Sequence, residues 1–142
     1  MRNKLKLVLL IILATFGFSQ ANFAEDQSSL AKFVIRNYDM LEVPNVGSND
    51  PKYVIVEFFD YRCGYCGKQA YDYAKLLELR NNVQIIYLEF PIFGGISETA
   101  SKLAMNVWKQ KPDLYFQIHN ELMKLGPKMQ KNNIINLLDK NG

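Results

Sequence analysis

Apolar residues recur at helical spacing through residues 25–42, at Leu30, Phe33, Val34, Tyr38 and Leu41. They predict an amphipathic helix, with Ser28 or Ser29 as its N-cap and Pro44 as its stop. Val46-Gly47-Ser48-Asn49-Asp50-Pro51 then reads as a turn-rich connector. From Tyr53 to Phe59 the chain is apolar except at Glu57, the pattern of a strand covered on both faces. A helix is expected from Cys63 to about Arg80, with Ala70, Tyr73, Ala74 and Leu77 as its buried stripe and Asn81-Asn82 as its stop. Val83 to Phe90 is a second strand, closed by Pro91 and Gly94-Gly95. Strand, helix and strand in so short a stretch form a βαβ unit, with parallel strands and a right-handed crossover.

Beyond Gly95 the pattern is helical. Ser97 is the expected cap of a helix to about Lys109, with Leu103, Ala104, Val107 and Trp108 on one face. Pro112 opens another helix, carrying Leu114, Tyr115, Ile118, Leu122 and Met123, and Gly126-Pro127 breaks it. A last helix covers about residues 131–139. Trp108, Tyr115 and Phe116 read as core. The single histidine, His119, reads as a partly exposed or hydrogen-bonded structural residue with no catalytic role.

The 142 residues suffice for one domain, and the first twenty-odd read as something else. Arg2, Lys4 and Lys6 precede an apolar run from Leu7 to Ala14, and Ser19-Gln20-Ala21 supplies small residues for cleavage after Ala21, with Ala24 as the fallback. This is the pattern of a secretory signal peptide. The alternative, an uncleaved anchor, would need about 18–20 apolar residues, and the run falls short. No cysteine lies near the cleavage point to suggest a lipoprotein. Without the signal, the 17 Lys+Arg of the full chain become 14 against 14 Asp+Glu, so the rest is neutral. That excludes nucleic acid as an expected partner.

The chain's two cysteines form one Cys63-Gly64-Tyr65-Cys66 motif. An exported chain that keeps only a vicinal pair, in a compartment where stray thiols cross-link, uses that pair for chemistry. At the first turn of a helix the first sulfur meets unpaired N–H groups and the positive end of the helix dipole. Both stabilise a thiolate, which makes Cys63 the expected nucleophile and Cys66 the resolving thiol. Zinc and iron–sulfur binding fail for want of ligands, and haem attachment fails because residue 67 is Gly rather than His. No metal or cofactor is expected. Glu57, six residues before Cys63, has two readings: a buried carboxyl with a raised pKa that exchanges the Cys66 proton, or an edge residue in water. Position alone leaves both open.

Val56-Glu57-Phe58-Phe59-Asp60-Tyr61-Arg62-Cys63-Gly64-Tyr65-Cys66 resembles the active-site segment of the DsbA-like thiol–disulfide oxidoreductases, and Glu89-Phe90-Pro91-Ile92-Phe93-Gly94-Gly95-Ile96-Ser97 resembles their second strand and the loop into a helical insertion. The resemblance runs from about Pro51 to the C-terminus. It implies a thioredoxin fold interrupted by a helical domain, with Cys63 as nucleophile, Cys66 as resolving cysteine and Glu57 as buried proton carrier. The family continues into a cis-proline loop, an antiparallel hairpin and a final helix that do not appear here. The chain is therefore expected to be the N-terminal part of a longer protein.

The expected fold class is α/β, a thioredoxin-like βαβ unit with a helical insertion and the C-terminal part of the fold missing. The expected organisation is a signal peptide at 1–21, a helix and connector at 22–50, and an incomplete domain at 51–142, divided into the active-site unit at 51–95 and the helical insertion at 96–142. The expected function is periplasmic thiol–disulfide exchange on unfolded or cysteine-containing exported proteins, with a membrane redox partner as a further candidate. No stable membrane insertion is expected after signal cleavage. The other reading is an inactive remnant serving as an exported binding fragment. Gly64-Tyr65 places no formal charge between the cysteines and does not choose among oxidase, isomerase and reductase.

Overall fold

The computed structural model describes residues 29–141, so the expected signal peptide at 1–21 lies outside the described residues. Two compact units divide the chain between Asn37 and Tyr38. Residues 29–41 are helical (α1), against an expected span of 25–42. Within the first unit the Asn37 side-chain amide donates to the Phe33 carbonyl at 2.7 Å, one helical turn back. The helix ends at Glu42, not at Pro44: Glu42 takes a left-handed φ of 50°, which reverses the chain before the proline is reached.

The second unit holds a three-stranded sheet, β1 (Asn45–Gly47), β2 (Tyr53–Phe59) and β3 (Val83–Glu89), in the order β1-β3-β2. β2 and β3 run parallel, with Glu57 opposite Tyr87 and Phe59 opposite Glu89, and α2 (Gly64–Leu79) makes the crossover, as the βαβ reading requires. β1 corrects the connector expected at 46–51. Its three residues pair antiparallel with β3, Val46 opposite Ile85. Gly47 is needed there for two reasons. Its φ is 112°, and a Cβ would collide with the Val83 carbonyl of the neighbouring strand.

β3 is therefore central, and its residues from Val83 to Tyr87 are all buried. β2 is not covered on both faces as expected. Glu57 and Phe59 point into the core, whereas Phe58 on the opposite face is 48% exposed. The side of β2 away from β3 has no strand neighbour among the described residues.

Three helices follow: α3 (Ile96–Gln110), α4 (Pro112–Leu125) and, after a 3-10 turn at Gly126–Lys128, α5 (Lys131–Asn141). α3 and α4 pack on each other, and Tyr115, Ile118 and Leu122 of α4 join Phe59, Ile85 and Tyr87 of the sheet in one core. The deepest stripe of α3 is Ser97, Ala100, Ser101 and Ala104. The larger residues expected there, Leu103, Val107 and Trp108, flank the core instead. Small side chains let α3 approach closely, which an apolar-periodicity reading undervalues. Ser97 does not cap α3; Gly95 stands at the cap with no side-chain bond, and Ser97 is used elsewhere. Among the described residues no helix is long and apolar enough to cross a membrane.

Candidate active site

β2 delivers the chain to the cysteines through Asp60, Tyr61 and Arg62, and each of the first two is anchored in the interior. Asp60 is 2% exposed and gathers three donors: the Arg62 backbone N–H at 2.7 Å and the Ser97 hydroxyl at 2.7 Å on one oxygen, and the Phe93 N–H at 3.0 Å on the other. One carboxylate thus ties the turn before Cys63 to the loop after β3 and to the start of α3. Sequence reasoning passed over Asp60, because two of its partners lie more than thirty residues away. Asp60→Ala would leave three donors without their acceptor, at a cost of about 2–4 kcal/mol. Urea unfolding of the variant measures this directly, and a loss under 1 kcal/mol, roughly that of an ordinary surface change, would contradict the assignment.

Tyr61 is fully buried and its hydroxyl donates to Glu89 Oε1 at 3.1 Å. Ser101 donates to the other Glu89 oxygen at 2.7 Å. His119 Nδ1 lies 3.2 Å from the Tyr61 hydroxyl, where an Nδ1–H tautomer fills that oxygen's acceptor side. The ring is fully enclosed by Phe59, Tyr61, Tyr87 and Tyr115, with centroids 4.5–5.7 Å away. Burial depresses its pKa to about 3, so it is neutral at physiological pH. His119 is thus more deeply buried than expected, and structural in its contacts. Burial also raises Glu89 to about 7, although its two hydroxyl donors pull the other way. Glu89 is thus a half-buried acid held by two hydroxyl donors.

Cys63 is the N-cap of α2, with extended backbone at φ −76° and ψ 114°. Its Sγ accepts the Cys66 N–H at 3.3 Å, taking the capping position usually held by a Ser, Thr or Asp oxygen. Its backbone N–H donates to the Asp60 carbonyl at 3.0 Å, and its carbonyl accepts the Gly67 N–H at 3.1 Å. The first turn of α2 contains no acidic residue to oppose a negative sulfur. Both cysteines carry free thiols and are half-buried.

Cys66 lies one turn on, its thiol pushed up to about 11, first by burial and then by the hydrogen bond with Cys63. The backbone of Asp60 pulls it down, and the charges of Cys63 and Glu57 raise it further. Glu57 is 8% exposed, its carboxyl is raised to about 7 by burial, and its Oε2 has no hydrogen-bond partner. Glu57 and Cys66 line one groove of about 330 Å³ with Tyr65, Gln69 and Tyr73. The structure thus places Glu57 and Cys66 on one groove, with Cys63 one helical turn before Cys66; β2 is an edge strand of the described sheet, yet the Glu57 side chain is buried rather than in water.

Comparison with known proteins agrees with this geometry. A sequence model of the family described as DSBA-like thioredoxin domain matches residues 54–142. A Bacillus subtilis protein named "Disulfide bond formation protein D" is 26% identical over 88 residues, covering 59% of this chain and 40% of that one. A Bacillus cereus protein named "Probable disulfide bond formation protein D" is 22% identical over 122 residues, covering 82% of this chain and 53% of its own length. The chain therefore spans about half the length of the curated relatives it matches. The catalytic domain of Proteus mirabilis ScsC superposes with a TM-score of 0.68 at 28% identity, over 75% of this chain and 63% of that one. The fold is thioredoxin-like, and the chain belongs to the DSBA-like thioredoxin domain family.

Proposed function

We propose that this chain carries the redox centre of an exported thiol–disulfide oxidoreductase, with Cys63 as nucleophile, Cys66 as resolving cysteine and Glu57 as the proton carrier for Cys66. The observation that carries the reading is the sulfur of Cys63 standing as the cap of α2, while the unpartnered Glu57 carboxyl shares a groove with Cys66. In the reducing direction the Cys63 thiolate attacks a substrate disulfide, one substrate sulfur leaves as a thiolate, and a mixed disulfide forms. Cys66 then gives its proton to Glu57 and attacks the Cys63 sulfur, which releases the second substrate thiol and leaves Cys63–Cys66 oxidised. The oxidising direction reverses each step, and Glu57 returns the proton as Cys66 departs. A carboxyl near 7 is half-ionised at neutral pH and serves in both directions.

In this reading residues 1–21 are the export signal, 22–142 reach the periplasm, and cysteine-containing exported proteins are the substrates, with a membrane redox partner resetting the pair. Among the described residues the side of β2 away from β3 has no strand neighbour, and that open edge favours a second reading, an exported binding fragment without turnover.

Iodoacetamide labelling of single-cysteine variants at pH 7 tests the roles. Cys66, with its raised pKa, is expected to label at least about tenfold more slowly than Cys63. Equal rates would remove the nucleophile assignment.

A further inference from the structure

The first turn of α2 also forms one wall of a larger groove, of about 660 Å³, on the side away from Glu57. Its opposite wall is the end of α4 and the 3-10 turn that follows. The two walls meet closely: a Cβ at Gly67 would lie 3.0 Å from the Met123 carbonyl, and one at Gly64 would lie 3.7 Å from the Pro127 ring. Tyr71, Leu125 and Pro127 give the groove apolar surface, while Lys68, Lys124 and Lys128 stand around it against a single carboxylate, Asp72. All three lysines are exposed, and none forms an ion pair among the described residues. Lys68 lies 5.5 Å from the centre of the Tyr65 ring, so one of these cations stands beside one of the two residues between the cysteines. Because residues 22–142 are neutral overall, this cluster is a local feature rather than a share of a basic surface.

The geometry points to a docking groove for the polypeptide that exchanges with Cys63, and to substrates whose cysteine is flanked by an apolar residue and then by Asp or Glu. The inference rests on the proposed role of the cysteine pair and specifies its substrate class. An extended chain joined to Cys63 passes Gly64 as it enters the groove. There its apolar side chain covers Leu125 and Pro127, and its carboxylates meet the lysines at the rim. Charges at such a rim steer encounter and select partners, and salt weakens them. In the reaction the peptide thiolate attacks the Cys63 sulfur of the oxidised pair, the Cys63–Cys66 bond breaks, and Cys66 leaves as a thiolate that takes up a proton. One S–S bond forms as one breaks, so no outside oxidant enters the step.

The test uses oxidised protein and two synthetic peptides, each with one cysteine beside a leucine, one continuing in three Asp and the other in three Lys. The acidic peptide is expected to react about tenfold faster at low ionic strength, with most of the preference gone in 0.5 M salt, where the screening length falls to roughly 4 Å. K124E/K128E is expected to abolish or invert the preference. K102E/K109E, with the same change in net charge on α3, is expected to keep it. Taking the rate ratio within each variant cancels any general loss of folded protein. Equal rates for the two peptides, or a preference that K124E/K128E leaves intact, would overturn the groove assignment. Dithiothreitol separates the two levels: wild-type protein whose disulfide dithiothreitol reduces while the peptides react alike loses only the groove. A pair that fails to react with dithiothreitol loses the exchange reading itself, and this inference with it.

Discussion

Replacing Cys66 by Ala is expected to turn the protein into a trap that accumulates mixed disulfides at Cys63, while Cys63→Ser lowers exchange to background. The asymmetry follows from α2. Cys63 caps the helix, its sulfur accepting the Cys66 N–H, and serine at that position cannot form or leave a disulfide. Cys66 is held as a thiol by burial, and in the proposed reaction it serves only to expel the bound substrate. Incubating each variant with an oxidised, unfolded model protein and running non-reducing gels after acid quench reads the outcome. A ladder of adducts should appear with Cys66→Ala and be absent with Cys63→Ser. Adducts of equal intensity in both variants would mean that the helix end does not distinguish the two sulfurs.

The second large effect concerns stability. Glu57 and Glu89 both have folded pKa values raised to about 7 from 4.5 by burial. A carboxyl raised in this way favours the folded state below its unfolded pKa, and that contribution is lost as pH rises through the folded value. For each of the two carboxyls the loss is about 2–3 kcal/mol. His119 acts in the opposite sense. Its depressed folded pKa of about 3 means that the unfolded chain binds the extra proton, so stability is lost as pH falls below about 6.5. Together the three groups place the stability maximum near pH 5, with a decline through neutrality. Urea unfolding between pH 4 and 8.5 should show it, and Glu89→Gln should flatten the upper limb. A profile that is level or rising from pH 5 to 8 would contradict the burial of these carboxyls.

Much of this was legible in the sequence. β2, α2 and β3 are marked by nearly continuous apolar runs and by a helical stripe bounded by Asn81-Asn82, and the strength of those patterns marks out the βαβ unit. Cys63 and Cys66 stood out because the chain has no other cysteine, and Glu57 because it is the one charge within its own apolar strand. β1 did not stand out. Three residues with one apolar side chain show no alternation, and their strand character comes from the backbone of β3 rather than from their own preference. The roles of Asp60, Ser97 and Ser101, and the depth at which His119 is buried, escaped for a related reason. Each looks like an ordinary surface or turn residue, and its role lies in hydrogen bonds or ring contacts to elements distant in the chain. Ser97 is the sharpest case, since a serine at the start of a helix ordinarily caps it, whereas here the Asp60 carboxylate takes its hydroxyl. Glu89 occupies the last position of an apolar strand and so reads as a strand end, until Tyr61 and Ser101 close over it.

Equilibration with glutathione tests the central claim most directly. Protein spanning residues 22–142 is held at a series of ratios of reduced to oxidised glutathione, quenched in acid, and its thiols are counted by mass after alkylation. The account predicts a single two-electron transition between a species with two free thiols and one with an internal Cys63–Cys66 disulfide, with glutathione joined only transiently and only at Cys63. A pair that stays reduced across the series, or that ends with glutathione on each cysteine and no internal bond, would contradict it.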